Sequence, residues 1–159
     1  MTENQFRIAK QHQKVRLYLS GGEEVEGVVF LHHSRNEYGL PEELQDVMNL
    51  PSPFIAIAET ADDNSDAISF YNKSMISRFT YQEKVDSTTK TAANLKEQIL
   101  VRLCDGLGIS GEVQATLPPE SARLYDYLNL ENELFLKIVG SDGAVSLINK
   151  TFIMVVNKA

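Results

Sequence analysis

The chain has no tryptophan, one cysteine and three histidines among 159 residues. It also lacks any apolar run near the ~20 residues that span a bilayer. Cys104 has no partner for an intramolecular disulfide, so a cystine framework is excluded. The opening segment MTENQFRIAKQHQK is polar and lacks the apolar core of a secretory signal. These absences predict a soluble, cytoplasmic protein in a reducing compartment, with no membrane partner. His32 and His33 form the one histidine pair, and neighbouring strand residues face opposite ways, which does not suit a shared metal. No zinc-type cysteine spacing, phosphate-cradling glycine loop or G-x-S-x-G elbow occurs. No catalytic set and no cofactor are expected.

Cations are also scarce. The formal net charge is −7, and residues 15–81 carry four basic side chains against eleven acidic ones. A surface of that sign repels phosphate backbones unless its few cations cluster. The hydrophobic fraction of 43% still allows a buried core.

What the sequence has in quantity is self-similarity. VRLYLSGGEEVEGVVF from Val15 is answered by VRLCDGLGISGEVQA from Val101. PEELQDVMNLPSPFIAIAE from Pro41 is answered by ESARLYDYLNLENELFLKIVG from Glu120, and ISFYNKSMISRFT from Ile68 by VSLINKTFIMVVN from Val145. The order of blocks is kept while their spacing shrinks, as it does when loops shorten. We read residues 1–14 as an N-terminal extension, 15–82 as a first repeat, 83–98 as a polar linker and 99–159 as a second repeat.

Each repeat carries the same local signals. Val15, Leu17 and Leu19 alternate with Arg16 and Tyr18, which predicts a half-buried strand. Gly21-Gly22 and Asp105-Gly106 predict hairpin turns. Gly27 and Gly111, inside the returning strands, predict a sharp bend or close backbone approach. Pro41, Glu42 and Glu43 suit a helix start. Leu44, Val47 and Met48, echoed by Leu124, Tyr127 and Leu128, have helical spacing, and Asn49 and Asn129 are placed to end each helix in the left-handed conformation. Asn72-Lys73 and Asn149-Lys150 read as tight hairpins that use asparagine's tolerance of positive φ. Thr91–Gln98 is expected to add a helical turn before the second repeat.

Strand, glycine turn, bent strand, then a closing turn with a basic residue: on these features the units resemble Sm-like small β-barrels. VRLYLSGGEEVEG resembles the first Sm motif and ISFYNKSMISRFT the second. Asp46, Met48 and Asn49 resemble the aspartate and Met-Asn pair that contact RNA bases in that family, although here they are one residue closer together and on a helical period. Tandem units of this type also resemble bacterial proteins without an assigned activity. The resemblance implies a mainly β fold of two tandem Sm/SH3-like small barrels, each with a short inserted helix, packed as a pseudo-symmetric pair.

The candidate contact residues are Asn49, Asn72, Lys73, Asn129, Asn149 and Lys150. Two readings of the Asn-Lys pairs stay open: turn chemistry with a solvated lysine, or a lysine at a rim that meets RNA or another anion. Cys104 reads as half-buried strand filler, with Tyr18 as its counterpart in the first copy. The acidic groups Glu23, Glu24, Glu26 and Asp62, Asp63, Asp66 read as solvated loops. The expected function is a non-enzymatic protein-interaction or scaffold module, with a protein partner or a homo-oligomer. RNA binding is the alternative, and a small-ligand or enzyme site between the repeats is third.

Overall fold

Val15, Leu17 and Leu19 alternate with polar neighbours in a strand that returns on itself after two glycines. In a computed structural model, which describes residues 10–32, 43–59, 67–83 and 93–159, this becomes β1 (Lys10–Leu19) and β2 (Glu24–His32), an antiparallel hairpin. Gly22 closes it at φ 92°, a conformation that costs glycine little. The short helix α1 (Leu44–Asn49) follows, with Asp46 accepting the Glu43 amide at 2.9 Å to satisfy one orphan donor. Leu44 and Met48 point inward. Then come β3 (Phe54–Glu59), β4 (Ile68–Asn72), a 3₁₀ turn and β5 (Ile76–Gln82).

The second half repeats this order as β6 (Leu95–Leu103), β7 (Gly108–Ala115), α2 (Leu124–Leu128), β8 (Phe135–Val139), β9 (Ala144–Asn149), a 3₁₀ turn and β10 (Ile153–Lys158). Its first hairpin closes at Gly106, φ 93°.

The ten strands of the described residues join one open antiparallel sheet in the order β10-β6-β7-β8-β9-β5-β1-β2-β3-β4. Within each half the order is the same: fifth strand, first, second, third, fourth. The halves meet where β5 pairs with β9, from Arg78 opposite Ile148 to Gln82 opposite Ala144. The mainly β expectation holds, with the two short helices each lying between second and third strands. Among the described residues the hydrogen-bonded network is nevertheless continuous and unclosed, ending at β10 and β4.

The sheet folds over two cores. Leu17, Met48, Ile57, Ile76 and Phe79 centre the first, and Ile99, Val101, Val113, Ile138 and Ile148 the second. Phe135 and Leu147 of the second half belong to the first core, and the Phe79 and Phe135 rings lie 6.2 Å apart. Gly27 and Gly111 let the sheet curve. A Cβ on Gly27 would stand 2.9 Å from the Ala58 carbonyl oxygen, and one on Gly111 2.9 Å from that of Val139. Each glycine thus permits the close approach expected of it.

Several local expectations are corrected. Asn72-Lys73 and Asn149-Lys150 do not close hairpins: β4 pairs with β3, whereas β5 pairs with β1 and β9. The 3₁₀ turn carries the chain away from β4 instead of back along it. Its asparagines sit at φ −71° and −64°, and no described non-glycine residue has positive φ. Neither Asn49 nor Asn129 ends its helix in the left-handed conformation; Asn129 has φ −99°. Leu95–Gln98, expected to be linker with a helical turn, is already strand, as is Lys10–Lys14 of the expected extension. The first repeat block is also shifted. Val15 stands opposite Gly27 and Ile99 opposite Gly111, so Val15 corresponds to Ile99 and not to Val101. Cys104 then corresponds to Ser20, and it is an exposed turn residue, not half-buried strand.

Candidate functional site

The six candidate residues do not line one ligand pocket. They occupy two sets of equivalent positions, one at the seam between the halves and one at the open ends of the sheet.

At the seam, Asn49 at the end of α1 accepts a hydrogen bond from the Phe135 amide at 3.0 Å. Asn149 is buried; its Nδ2 donates to the carbonyl oxygens of Ile76 (3.0 Å) and Lys73 (3.4 Å), while its Oδ1 accepts from the Thr151 amide. One side chain therefore caps its own 3₁₀ turn and ties it to the turn of the other half. Such a fully paired buried amide fixes register as well as stabilising it. Lys137 adds ion pairs to Glu83 (2.8 Å) and Glu43 (3.8 Å) across the same seam.

Lys73 is buried, and its Nζ donates to Val47 O (2.8 Å), Leu50 O (3.2 Å) and Ser52 Oγ (3.3 Å). Those carbonyls end α1, where the Leu50 amide also donates to Val47 O at 3.3 Å. Burial lowers the Lys73 pKa. Lys150 does the same work more loosely, donating to Leu130 O at 3.3 Å after α2. Its pKa is lowered by burial, partly offset by the carboxylate of Glu133. Burial in turn raises the Glu133 pKa, and one of its oxygens is enclosed without a hydrogen bond. Both lysines thus brace helix ends, and neither is a solvated rim cation.

Asn72 and Asn129 lie on the outer edges. Asn72 accepts from the Ser74 amide (3.0 Å), and Asn129 donates to Tyr125 O (2.7 Å). The edge strands, and β3 beside one of them, bear what sequence reasoning passed over: Ile68 and Phe70 on β4, Met154 on β10, and Phe54 on β3 are exposed large apolar side chains. Alternation in ISF marks a strand, but exposure of its apolar side depends on which edge stays uncovered.

Two arginines of the first half are engaged as well. Arg16 forms an ion pair with Glu26, and the Arg78 guanidinium stacks 3.6 Å above the Tyr18 ring. Asp46 caps α1 and Met48 is core, so neither is placed as an exposed base-reading residue. A shallow groove of about 280 Å³ lies between the first hairpin turns of the two halves, lined by Gly21, Ser77, Cys104 and Phe152 among others. Among the described residues, no three His, Cys, Asp or Glu side chains converge to hold a metal, and no helix is long and apolar enough to cross a membrane. His33 and the Asp62, Asp63, Asp66 cluster lie outside the described residues, as do Pro41 and Glu42.

No family model, curated protein or solved structure matches this chain.

Proposed function

We propose that the chain is a non-enzymatic protein-interaction module. In this reading it consists of two Sm/SH3-like small-barrel units, diverged copies of one ancestor, fused through one sheet. It acts by strand addition: a protein partner pairs with an open sheet edge and covers its apolar side chains. One observation carries the reading. The sheet ends at β4 with no charged side chain along ISFYN to guard it, and with Ile68 and Phe70 exposed. Exposed apolar edge strands are what soluble proteins avoid unless something covers them. The engagement of Lys73 and Lys150 at helix ends favours this over RNA binding in the Sm manner, which needs free cations on one face.

The test is capture of partners from native cell extract by the wild-type chain and by Phe70→Lys, each with and without ribonuclease. A partner retained after ribonuclease and lost with Phe70→Lys supports the proposal. Capture abolished by ribonuclease, together with a salt-sensitive mobility shift of RNA at micromolar protein, would replace it with the RNA reading.

A further inference from the structure

The two lysines that brace the helix ends stand in equivalent hydrogen-bonded frames. Phe54 pairs with Asn72, and Phe135 with Asn149, in the same antiparallel register. One residue beyond each pair, the Lys73 amide donates to Pro53 O at 2.8 Å and the Lys150 amide to Leu134 O at 2.9 Å. Pro53 therefore corresponds to Leu134. The residues before them, Ser52 and Glu133, correspond to each other.

The two frames differ in charge. Lys150 has the Glu133 carboxylate beside it, which favours the ammonium. Lys73 is 4% exposed and, among the described residues, is bonded to neutral oxygens alone, those of Val47, Leu50 and Ser52. A lysine is rarely buried so fully unless it is paired. The position that supplies the counter-charge in the second half supplies a hydroxyl in the first, with Ser52 Oγ 3.3 Å from the ammonium. A phosphoryl group on that hydroxyl provides the missing charge, because phosphoserine carries about −1.5 to −2 near neutral pH and three acceptor oxygens. Phosphate at the C-terminal end of a helix is ordinarily opposed by the carbonyl dipoles. Lys73, already bonded to two of those carbonyls, is the group that offsets this.

The hydroxyl is also presented for reaction. Ser52 is exposed, as are Pro51 and Pro53 on either side of it. Neither proline has an amide to give to the sheet, and each disfavours helical backbone in the residue before it. Leu50 accordingly has φ −65° and ψ 149°. The segment is held extended and outside the strand ladder, open to a modifying enzyme. We propose that Ser52 is a phosphorylation site for a protein kinase that takes serine before proline, and that its phosphate pairs with Lys73 as Glu133 does with Lys150. Ser52 Oγ attacks the γ-phosphorus of ATP. An O–P bond forms, the bond to the ADP oxygen breaks, and the serine proton passes to the kinase's base. The modified first half then has the charge pattern already built into the second.

The test uses the full chain. Wild type and Ser52→Ala are incubated with native cell extract and ATP, and phosphopeptides are mapped by mass spectrometry. Wild type should carry phosphate on Ser52, and total incorporation should fall in Ser52→Ala. The full chain carrying phosphoserine at position 52, introduced during synthesis, is then titrated by phosphorus NMR. Its second ionisation should lie at least about half a pH unit below that of a phosphorylated peptide of residues 48–56, an about three-fold change in the ionisation constant, because Lys73 favours the dianion. Lys73→Met in the same chain should return the peptide value. A further measurement does not require that variant to fold. With Ser52→Glu, the Lys73 side chain followed by carbon NMR should titrate at higher pH than with Ser52→Gln. No phosphate on Ser52, a second ionisation equal to the peptide's, or a Lys73 titration indifferent to Ser52→Glu overturns the proposal.

Discussion

The two halves of this molecule share strand order, turn glycines and lysine-braced helix ends, yet one Phe of an equivalent pair is buried and the other is exposed. Phe135 and Phe54 begin the same strand in their respective halves, and each is followed by the same kind of chain. The difference is the neighbour. Phe135 meets Phe79 and the end of α1, contributed by the first half, whereas Phe54 lies near the end of a sheet with no further strand beside β4 among the described residues. Burial at this site is thus set by position in the series of units and not by the local sequence.

The largest test of that comparison removes the neighbour. A fragment of residues 1–84 loses Phe135 and Leu147 from its core, and each such side chain contributes roughly 1.5–3 kcal/mol when buried. With a unit this small already marginal, the fragment should not melt cooperatively near the temperature of the full chain. A sharp transition at that temperature in differential scanning calorimetry contradicts the shared core.

Single substitutions then compare seam and edge directly. Leu147→Ala should destabilise the chain by about 2–5 kcal/mol, as for other fully enclosed leucines. Phe70→Ala, at the equivalent edge position, should stay within ~0.5 kcal/mol in dilute urea unfolding, where self-association is absent. Similar losses at both positions would show that β4 is covered in the isolated chain.

Lysines offer a smaller contrast. Lys73→Ala removes the lysine donor from the Val47 and Leu50 carbonyls, of which Val47 keeps only the Leu50 amide, at about 1–3 kcal/mol. Lys150→Ala, with one longer hydrogen bond, should cost less, and the ratio is readable from urea midpoints. Methionine at position 73 should not restore stability, because it fills the space without donating.

The smallest expected effect is a pH dependence confined to the second half. Burial raises the Glu133 pKa, so the folded state holds that proton where the unfolded state has released it. Its contribution to stability is present below the ordinary carboxylate pKa of about 4.3 and is lost as pH rises through the raised folded value. Glu133→Gln should therefore gain on wild type as pH rises from acid to neutral, and the difference should vanish in acid. The first half carries Ser52 near its lysine and no such carboxylate, so mutating it gives no matching profile.

Local features were legible in the sequence to the extent that their causes are local. Gly22 and Gly106 turn hairpins, Gly27 and Gly111 sit where a side chain would strike the next strand, and the Leu44 and Leu124 periods fold as short helices. The like order of elements in the two halves was legible too, but the shared VRL text drew the alignment two residues off the structural match of Val15 with Ile99. An even slip leaves every side chain on its proper face, so alternation gave no warning. The Asn-Lys turns misled for a different reason. Two apolar runs separated by a polar pair look like a hairpin whether or not the strands pair, and the decision is made by β1 and β9, far away in sequence. Of the candidate residues, Asn49, Lys73 and Asn149 meet around the seam. Their work there is to hold two halves of one chain together, and the exposed apolar edge beside them carried no sequence signal of its own.

Pairing β5 with β9 also imposes a schedule on the chain during synthesis. Gln82 ends β5 about sixty residues before Ala144 begins β9. At translation rates of ~5–20 residues per second, the first half waits on the order of 3 to 12 seconds with both its β4 and β5 edges open. During that interval a nascent first half of a neighbouring chain presents the same two edges. Polysomes, which hold such chains close together, are therefore where wrong pairings between incomplete copies are most exposed to chance. Slower translation through the 84–92 segment would lengthen that interval, and synonymous codons there should influence the yield of correctly joined protein.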